Sequence, residues 1–208
     1  KQDVGAAYVY RHNGSTFSYQ TQLTPSEPQQ EEHFGASVAL QADKIVLGAP
    51  QWDGVDEAGK SQGDQGRAFV FEGSGASWTR VARLTADGGL SPADASGQGI
   101  AGDEFGYSVA IDGDYVAVGA PLADPVVNEK SALDAGAAYV FYELDAYGNS
   151  QLGSTWTRSS VTGSGQLGAT NPAGAGGSAA PAPDRFGQSV ALAGKMLLVG
   201  IPGHNDSG

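Results

Sequence analysis

A seventeen-residue pattern occurs three times along this chain and constrains its fold more than any other feature. It opens on Phe-Gly and closes on Gly-x-Pro, and its copies read FGASVALQADKIVLGAP at 34–50, FGYSVAIDGDYVAVGAP at 105–121 and FGQSVALAGKMLLVGIP at 186–202. The Phe and the Gly of Gly-x-Pro are 14 residues apart in every copy, whereas successive copies begin 71 and 81 residues apart. Constant spacing inside a unit with variable spacing between units is typical of a repeated structural element joined by tolerant surface loops. We therefore expect one continuous repeat architecture over residues 1–208.

Each repeat is predicted to contain four short β-strands. The pattern supplies strands one and two, which are FGxSVAL and the apolar run before Gly-x-Pro, joined by a tight turn. Strand three follows a glycine, and strand four opens on an aromatic residue. Strand three reads GAAYVY at 5–10, GRAFVF at 66–71 and GAAYVF at 136–141, and strand four reads FSYQTQLT from Phe17, WTRVARLT from Trp78 and WTRSSVT from Trp156. The predicted units are then 34–85, 105–162 and 186–208, with the last completed by a hairpin of the 5–24 type.

Four-stranded antiparallel sheets that recur along a chain are the signature of a β-propeller, in which each sheet is a blade packed against its neighbours. The chain also resembles the FG-GAP repeat family, whose members include the N-terminal propellers of integrin α subunits. Both halves of the family pattern are present, as FG at 34–35 with GAP at 48–50 and FG at 105–106 with GAP at 119–121, and Ile201 replaces the alanine in the third copy. The predicted fold is therefore an all-β propeller segment of about three FG-GAP blades, belonging to a larger or completed ring.

The long variable segments are predicted to lie at one end of the sheets. Connections from strand two to three and from strand four to one share an end of an antiparallel sheet, and the long segments are all of these two kinds. They are 25–33, 51–65, 86–104, 122–135 and 163–185. Variable loops gathered on one side of a rigid scaffold form binding surfaces, and in the integrin heads that the chain resembles this side engages protein ligands. The alternative is neutral insertion, because the entropy cost of closing a loop grows slowly with its length.

Five residues of these loops are the candidate ligand contacts. Trp52 is the first choice, because it lies just after Gly-Ala-Pro in a long loop and has no equivalent in the other repeats. The others are polar residues of the two loops between strands two and three, namely Asp53, Asp56, Asp124 and Asn128. The aromatic residues Phe17, Trp78 and Trp156 share one repeat position, so packing explains them better than ligand stacking.

The calcium loop that many FG-GAP repeats carry is predicted to be absent. In calcium-binding members, an acidic loop of D-x-D-x-D-G type enlarges the turn between strands one and two. Here the 14-residue spacing leaves only a tight turn, and LQADKIV, IDGDYVA and LAGKMLL hold at most two acids each. Asp112 and Asp114 are the nearest remnant, but paired acids in a hairpin turn are more often turn formers. Asp64, in a longer loop, is the remaining weak metal candidate, and no cofactor is expected.

Charge and composition argue against several partners. The chain has 23 acidic and 11 basic residues and a formal net charge of -12, which repels nucleic acid and anionic membrane surfaces. No apolar stretch is long enough for membrane insertion as a spanning helix. Because the chain has no cysteine, neither disulfides nor thiolate metal sites are available.

No enzyme signature stands out. The three histidines, His12, His33 and His204, lie in predicted turns or loops without a nucleophile motif beside them. A serine does recur at one position of the pattern, as Ser37, Ser108 and Ser189, but catalytic residues are normally single. We therefore expect these serines to make a hydrogen bond within each blade.

The predicted function is non-enzymatic binding of a protein or glycan ligand, adhesion-like and at the cell surface or outside the cell. Three blades are too few to close a propeller, and unpaired blade edges are an aggregation hazard, so further blades in the same chain or an oligomeric partner are expected. One alternative is a structural subunit of a filament or larger assembly that uses its open edges. Another is an accessory propeller of a secreted hydrolase, because a fold does not determine a function.

Overall fold

The computed structural model describes residues 3–55, 61–86, 101–124, 126–127, 130–131, 134–144, 155–158, 166–168, 184–194 and 196–203. These residues form strands and turns only, and they include no helix suited to crossing a membrane. The strands are β1 Ala7–His12, β2 Phe17–Leu23, β3 Ser37–Gln41, β4 Lys44–Ala49, β5 Gly54–Val55, β6 Ser61–Gln62, β7 Arg67–Ser74, β8 Ser77–Leu84, β9 Ser108–Asp112, β10 Tyr115–Ala120, β11 Val126–Val127, β12 Lys130–Ser131, β13 Ala137–Leu144, β14 Thr155–Arg158, β15 Gln166–Gly168, β16 Ser189–Ala193 and β17 Met196–Gly200. The prediction of an all-β fold is confirmed.

Antiparallel pairing arranges the main strands as four consecutive bodies. The leading hairpin is β1–β2, the first sheet has the order β3-β4-β7-β8, and the second sheet has the order β9-β10-β13 with β14 and β15 both on β13. The trailing hairpin is β16–β17. In repeat terms, the leading hairpin consists of strands three and four, and the trailing hairpin consists of strands one and two. The short ladders β5–β6 and β11–β12 lie between strands two and three.

Two short strands, β14 and β15, pair with β13 at the strand-four position of the second sheet. β14 pairs with 141–144 of β13, and the ladder then resumes with β15, in which Leu167 lies opposite Ala138 as Leu84 lies opposite Ala68 in the first sheet. The predicted strand from Trp156 is present in β14, whereas 159–162 of WTRSSVT lie outside the described residues, and the predicted end of the unit at 162 stays a prediction. The first sheet has a β-bulge at the same point, between Val70 and Phe71.

Apolar side chains fill the spaces between consecutive bodies. Between the leading hairpin and the first sheet lie Leu23, Phe34, Ile45, Leu47, Ala49, Phe69 and Phe71. Between the two sheets lie Val46, Ala68, Val70 and Leu84 from the first and Phe105, Val109, Val116, Val118, Tyr139 and Phe141 from the second. Strands two and three therefore pack on both faces, which explains their nearly continuous apolar sequence.

Each body is joined to the next through the first residues of the repeat pattern. Isolated parallel bridges connect Gly5 with Phe34, Gly66 with Phe105 and Gly136 with Phe186. Gly5 has φ +86, and a Cβ there would overlap the backbone of Phe34. Glycine is therefore required at this point on steric and conformational grounds.

The recurring serines also link one body to the next. Ser37 Oγ donates to the carbonyl of Gly106 at 2.7 Å, and Ser108 Oγ donates to the carbonyl of Gly187 at 2.8 Å. The prediction of a hydrogen bond within each blade is wrong, because the acceptor belongs to the next repeat. Next to each serine is the glycine of Gly-Ala-Pro, and a Cβ on Gly48 or Gly119 would overlap both the serine oxygen and the carbonyl it binds.

Candidate functional site: the long-loop end

Two kinds of connection meet at one end of the sheets. The amide of Asp53, between strands two and three, donates to Gln29 Oε1, between strands four and one, at 3.0 Å. The amide of Gly102 likewise donates to the carbonyl of Gly63 at 2.8 Å. We call this the long-loop end, formed in the described residues by 24–33, 50–55, 61–66, 101–104, 121–124, 134–136 and 184–185. It is the end that the sequence analysis associated with binding.

Asp53 and Asp124 occupy equivalent positions at this end. Asp53 Oδ1 accepts the amide of Asp64 at 3.0 Å, and Asp124 Oδ1 accepts the amide of Asp134 at 2.7 Å. Asp64 and Asp134 have φ of 52° and 51°, in the left-handed region, which Asp adopts more readily than most residues with a side chain. Both open an Asp-x-Gly motif at 64–66 and 134–136 that also occurs at 3–5. This repeated motif was not recognised in the sequence analysis, although its fixed distance from strand three could have revealed it.

Trp52 covers a buried ion pair. Its ring lies 4.8 Å from the guanidinium carbon of Arg67, and the ring of Phe69 lies at the same distance. Arg67 Nη2 donates to Glu32 Oε2 at 2.6 Å and to the carbonyl of Glu27 at 2.9 Å. The Arg67 and Glu32 side chains are 1% and 0% exposed, so the pair is removed from water. Trp52 is itself half-buried, and one of its faces is therefore occupied by a structural contact.

The electrostatic environment of Arg67 is dominated by its burial. Burial lowers the pKa of Arg67, while the hydrogen bond that Arg67 donates to Glu32 raises it. Arg67 Nε has no hydrogen-bond partner among the described residues. The repeat equivalents of Arg67 are Ala6 and Ala137, so this pair is specific to the first sheet. The sequence offered one signal, a single arginine where the other copies of strand three have alanine.

Three residues that directly precede the Phe of each repeat also lie at this end. His33, Glu104 and Arg185 have φ of 52°, 53° and 55°. The amide of Glu104 donates to the carbonyl of Asp64 at 3.0 Å. Burial is the main cause that raises the pKa of Glu104, and the negative charge of Asp64 raises it further. The positive charge of Arg185 lowers this pKa and so opposes both effects. The position one residue before Phe-Gly therefore brings charged groups of successive repeats together.

The turns between strands one and two form the opposite, short-turn end, where the weak cation candidates Asp112 and Asp114 lie. Gln41 Nε2 donates to Asp112 Oδ1 at 2.6 Å, and the amide of Gly194 donates to Asp112 Oδ2. The hydrogen bond from Gln41 lowers the pKa of Asp112, with that of Gly194 second. Asp114 Oδ1 lies 3.5 Å from Lys44 Nζ. Both acids therefore connect turns of successive repeats.

No metal cluster is found in the described part of the chain, where no three His, Cys, Asp or Glu residues are grouped to hold an ion. Asp64, the third weak candidate, opens the Asp-x-Gly motif at 64–66. Asp56 and Asn128 fall outside the described residues, as does His204. The binding roles of Trp52, Asp53 and Asp124 stay predictions.

A second buried ion pair joins the two sheets near the short-turn end. Lys44 Nζ lies 3.1 Å from Glu143 Oε2, with side-chain exposures of 5% and 1%. Glu72 is the partner of Lys44 in the β4–β7 register, and its Oε1 is buried without a hydrogen-bond partner in the described residues. Burial raises the pKa of Glu72, and the charge of Glu143 raises it further.

Glu72→Gln is expected to raise the thermal stability at neutral pH. The stability that protonated Glu72 contributes is fully present below the ordinary glutamate pKa of 4.5 and is lost as the pH rises through the raised pKa of the folded protein. The advantage of the neutral glutamine should therefore disappear towards about pH 3, as measured by thermal unfolding across the range. Asp112→Asn is a control with the opposite expected sign, because the pKa of Asp112 is lowered in the folded protein. Replacing this carboxylate should therefore lower the melting temperature at neutral pH. A lower melting temperature for Glu72→Gln at neutral pH would contradict this prediction.

A protein-family model matches two stretches of this chain. The model of the FG-GAP repeat matches residues 17–71 and 78–141, which is more than half of the chain. The chain belongs to the FG-GAP repeat family. The two matches of the FG-GAP model cover β2 to β7 and β8 to β13, and thus most of both full sheets. The comparison with curated proteins found no match for this FG-GAP chain.

Proposed function

We propose that this FG-GAP protein is a non-enzymatic propeller module that binds a protein ligand through its long-loop end, outside the cell or at its surface. In this proposal the sheets are blades arranged around a common axis. The observation that carries it is the assembly of variable loops on a scaffold whose successive bodies are joined by backbone bridges and serine hydrogen bonds. A rigid support of this kind presents loops in a fixed geometry, which lowers the entropy cost of binding.

Charge indicates the type of protein surface that the long-loop end would accept. Acidic side chains predominate among its described residues, and several are exposed, namely Glu27, Glu31, Asp53, Asp64 and Asp134. Together with the net charge of -12, this favours a ligand with a basic contact patch. The association rate should then fall as salt concentration rises, because exposed charges are screened.

Charge reversal at the long-loop end should weaken ligand binding, whereas the same change at the short-turn end should not. We expect Glu31→Lys to lower affinity for a basic protein ligand, and Asp43→Lys is the matched control because both replace an exposed acid in a turn. Trp52→Ala should lower affinity further, compared with Tyr115→Ala at the short-turn end. Ligands would be sought by probing arrays of extracellular proteins and of glycans with the purified chain.

The outcomes of this test separate the two classes of ligand. Protein binding that is lost in Glu31→Lys and kept in Asp43→Lys would support the proposal. Binding only to glycans would overturn the choice of a protein ligand, and equal losses in both charge variants would overturn the choice of the long-loop end. Folding of each variant would be checked by its melting temperature, because Trp52 also covers Arg67.

A further inference from the structure

The turn between β1 and β2 carries a sequence motif that has no part in the long-loop end. Asn13, Gly14 and Ser15 read Asn-x-Ser, the pattern that marks an acceptor of N-linked glycosylation when the middle residue is not proline. The pattern occurs once more in the sequence, at 205–207, which lies outside the described residues. A motif of three residues arises easily by chance, so its structural setting decides whether it can serve as a site.

The whole turn is open to solvent. Every residue from 11 to 19 is exposed, and a Cβ on Gly14 would meet no atom within 4 Å. The equivalent turn of the first sheet, which has a packed body on each side, is open in the same way, because Ser74 and Ala76 are exposed and a Cβ on Gly75 would also meet no atom. Exposure is therefore a property of this position in the repeat.

The side chain of Asn13 is held with its oxygen inward. Its Oδ1 accepts the amides of Ser15 at 3.0 Å and Thr16 at 2.9 Å, and also the hydroxyl of Ser15 at 3.1 Å. Backbone N–H groups only donate, so the atom that they contact must be the oxygen and not the amide nitrogen. The Nδ2 group has no hydrogen-bond partner among the described residues. Substitution at Nδ2 would therefore break no hydrogen bond of the folded turn.

The turn lies at the short-turn end, opposite the loops that we propose to bind ligand. In the first sheet, the amide of Gly73, near the end of strand three, donates at 2.9 Å to the carbonyl of Asp43 in the turn between strands one and two. Glu143 and Asp114 make the same hydrogen bond in the second sheet, at 3.1 Å. Turns between strands three and four are thus beside the short turns, and β1 leads into the equivalent turn. A bulky hydrophilic group there would leave the long-loop end free.

We propose that Asn13 is the acceptor of an N-linked oligosaccharide. The co-reactant is an oligosaccharide carried on a lipid pyrophosphate. Nδ2 forms a bond to the anomeric carbon of the donor sugar as the bond from that carbon to the pyrophosphate oxygen breaks. The lipid pyrophosphate leaves with the bonding electron pair, and Nδ2 gives one proton to a base of the transferring enzyme. The site rests on the proposed location outside the cell or at its surface, because secreted chains receive this modification.

Secretion of the full chain from a eukaryotic host, with a leader added, would test the acceptor. Trypsin places Asn13 in the peptide 12–44 and the second motif in 196–208, so the two are measured separately. Release of the glycan by an amidase in water labelled with heavy oxygen should convert Asn13 to labelled aspartate, whereas earlier deamidation of Asn-Gly gives unlabelled aspartate. The amidase should act without denaturant, because the turn is exposed. A secreted chain without the label at position 13 would overturn the proposal.

Variants of the motif separate its residues from the turn that carries it. Ser15→Ala should abolish the label and Ser15→Thr should keep it, because the pattern accepts serine or threonine at this position. Both variants retain Asn13 and the backbone amides that it accepts, and equal melting temperatures would confirm that both fold. In an Asn13→Gln background, Ser74→Asn with Ala76→Ser moves the motif to the exposed turn of the first sheet and should place the label at position 74. Label in Ser15→Ala, or none at position 74, would overturn the proposal.

Fractionation of the source cells tests the location separately from the acceptor. A chain found inside the cell would contradict the proposed location, while the label in the chain secreted from the host is measured independently of it. A chain recovered outside the source cells with Asn13 unmodified would overturn the glycosylation proposal alone. Asn13→Gln should leave ligand binding at the long-loop end unchanged.

Discussion

Replacing Gly119 with alanine is expected to destabilise the protein by about 3 kcal/mol or more, the upper part of the range for overpacking. A Cβ at this position would overlap the carbonyl oxygen of Gly187 and the hydroxyl of Ser108, which form the hydrogen bond between the second sheet and the trailing hairpin. The backbone of a neighbouring repeat cannot move aside as a flexible side chain can. Urea unfolding with a constant m-value would measure the loss.

Gly113→Ala is the matched control for this substitution. Gly113 has φ +58, and a Cβ there would meet no atom within 4 Å. Alanine already occupies the equivalent position in the first sheet, where Ala42 has φ 52. The expected loss is therefore only the cost of the left-handed conformation, about 1 kcal/mol. Similar losses for Gly113→Ala and Gly119→Ala would show that steric overlap between repeats is not the cause.

The second large effect is expected from Glu32→Ala, which would leave Arg67 charged and buried without its partner. Removing one member of a buried ion pair typically destabilises by about 3 to 5 kcal/mol. The 2.6 Å contact and nearly complete burial of both side chains place this pair in that class. Trp52 and Phe69 stack on the guanidinium but supply no negative charge to replace the carboxylate.

Two variants separate charge burial from loss of packing at this position. Glu27→Ala is the control, because the Glu27–Arg83 pair is exposed at 3.6 Å and exposed pairs contribute about 0 to 1 kcal/mol. Replacing Glu32 and Arg67 together with methionine should recover most of the stability, since apolar residues of similar volume often substitute for a buried pair without loss. No recovery in the double variant would indicate that packing, rather than the unpaired charge, causes the effect of Glu32→Ala.

Local patterns in the sequence were enough to predict the strands of this FG-GAP repeat. The pattern from Phe34 to Pro50 predicts β3, a tight turn and β4, because alternation and turn residues act within a few positions of one another. The second sheet shows the limit of that approach. Nothing in WTRSSVT or its neighbours indicates that Gln166–Gly168 also pairs with β13, since that pairing depends on the sheet rather than on the local sequence.

What the sequence by itself determined is the repeat, its antiparallel all-β character and the end of the sheets at which the long loops gather. Only the tertiary structure decided that Ser37 binds the next repeat, that Trp52 covers Arg67, and that Asp112 connects successive turns. These contacts join residues up to about 70 positions apart, and folding brings such residues together through the stacking of sheets rather than through any local periodicity.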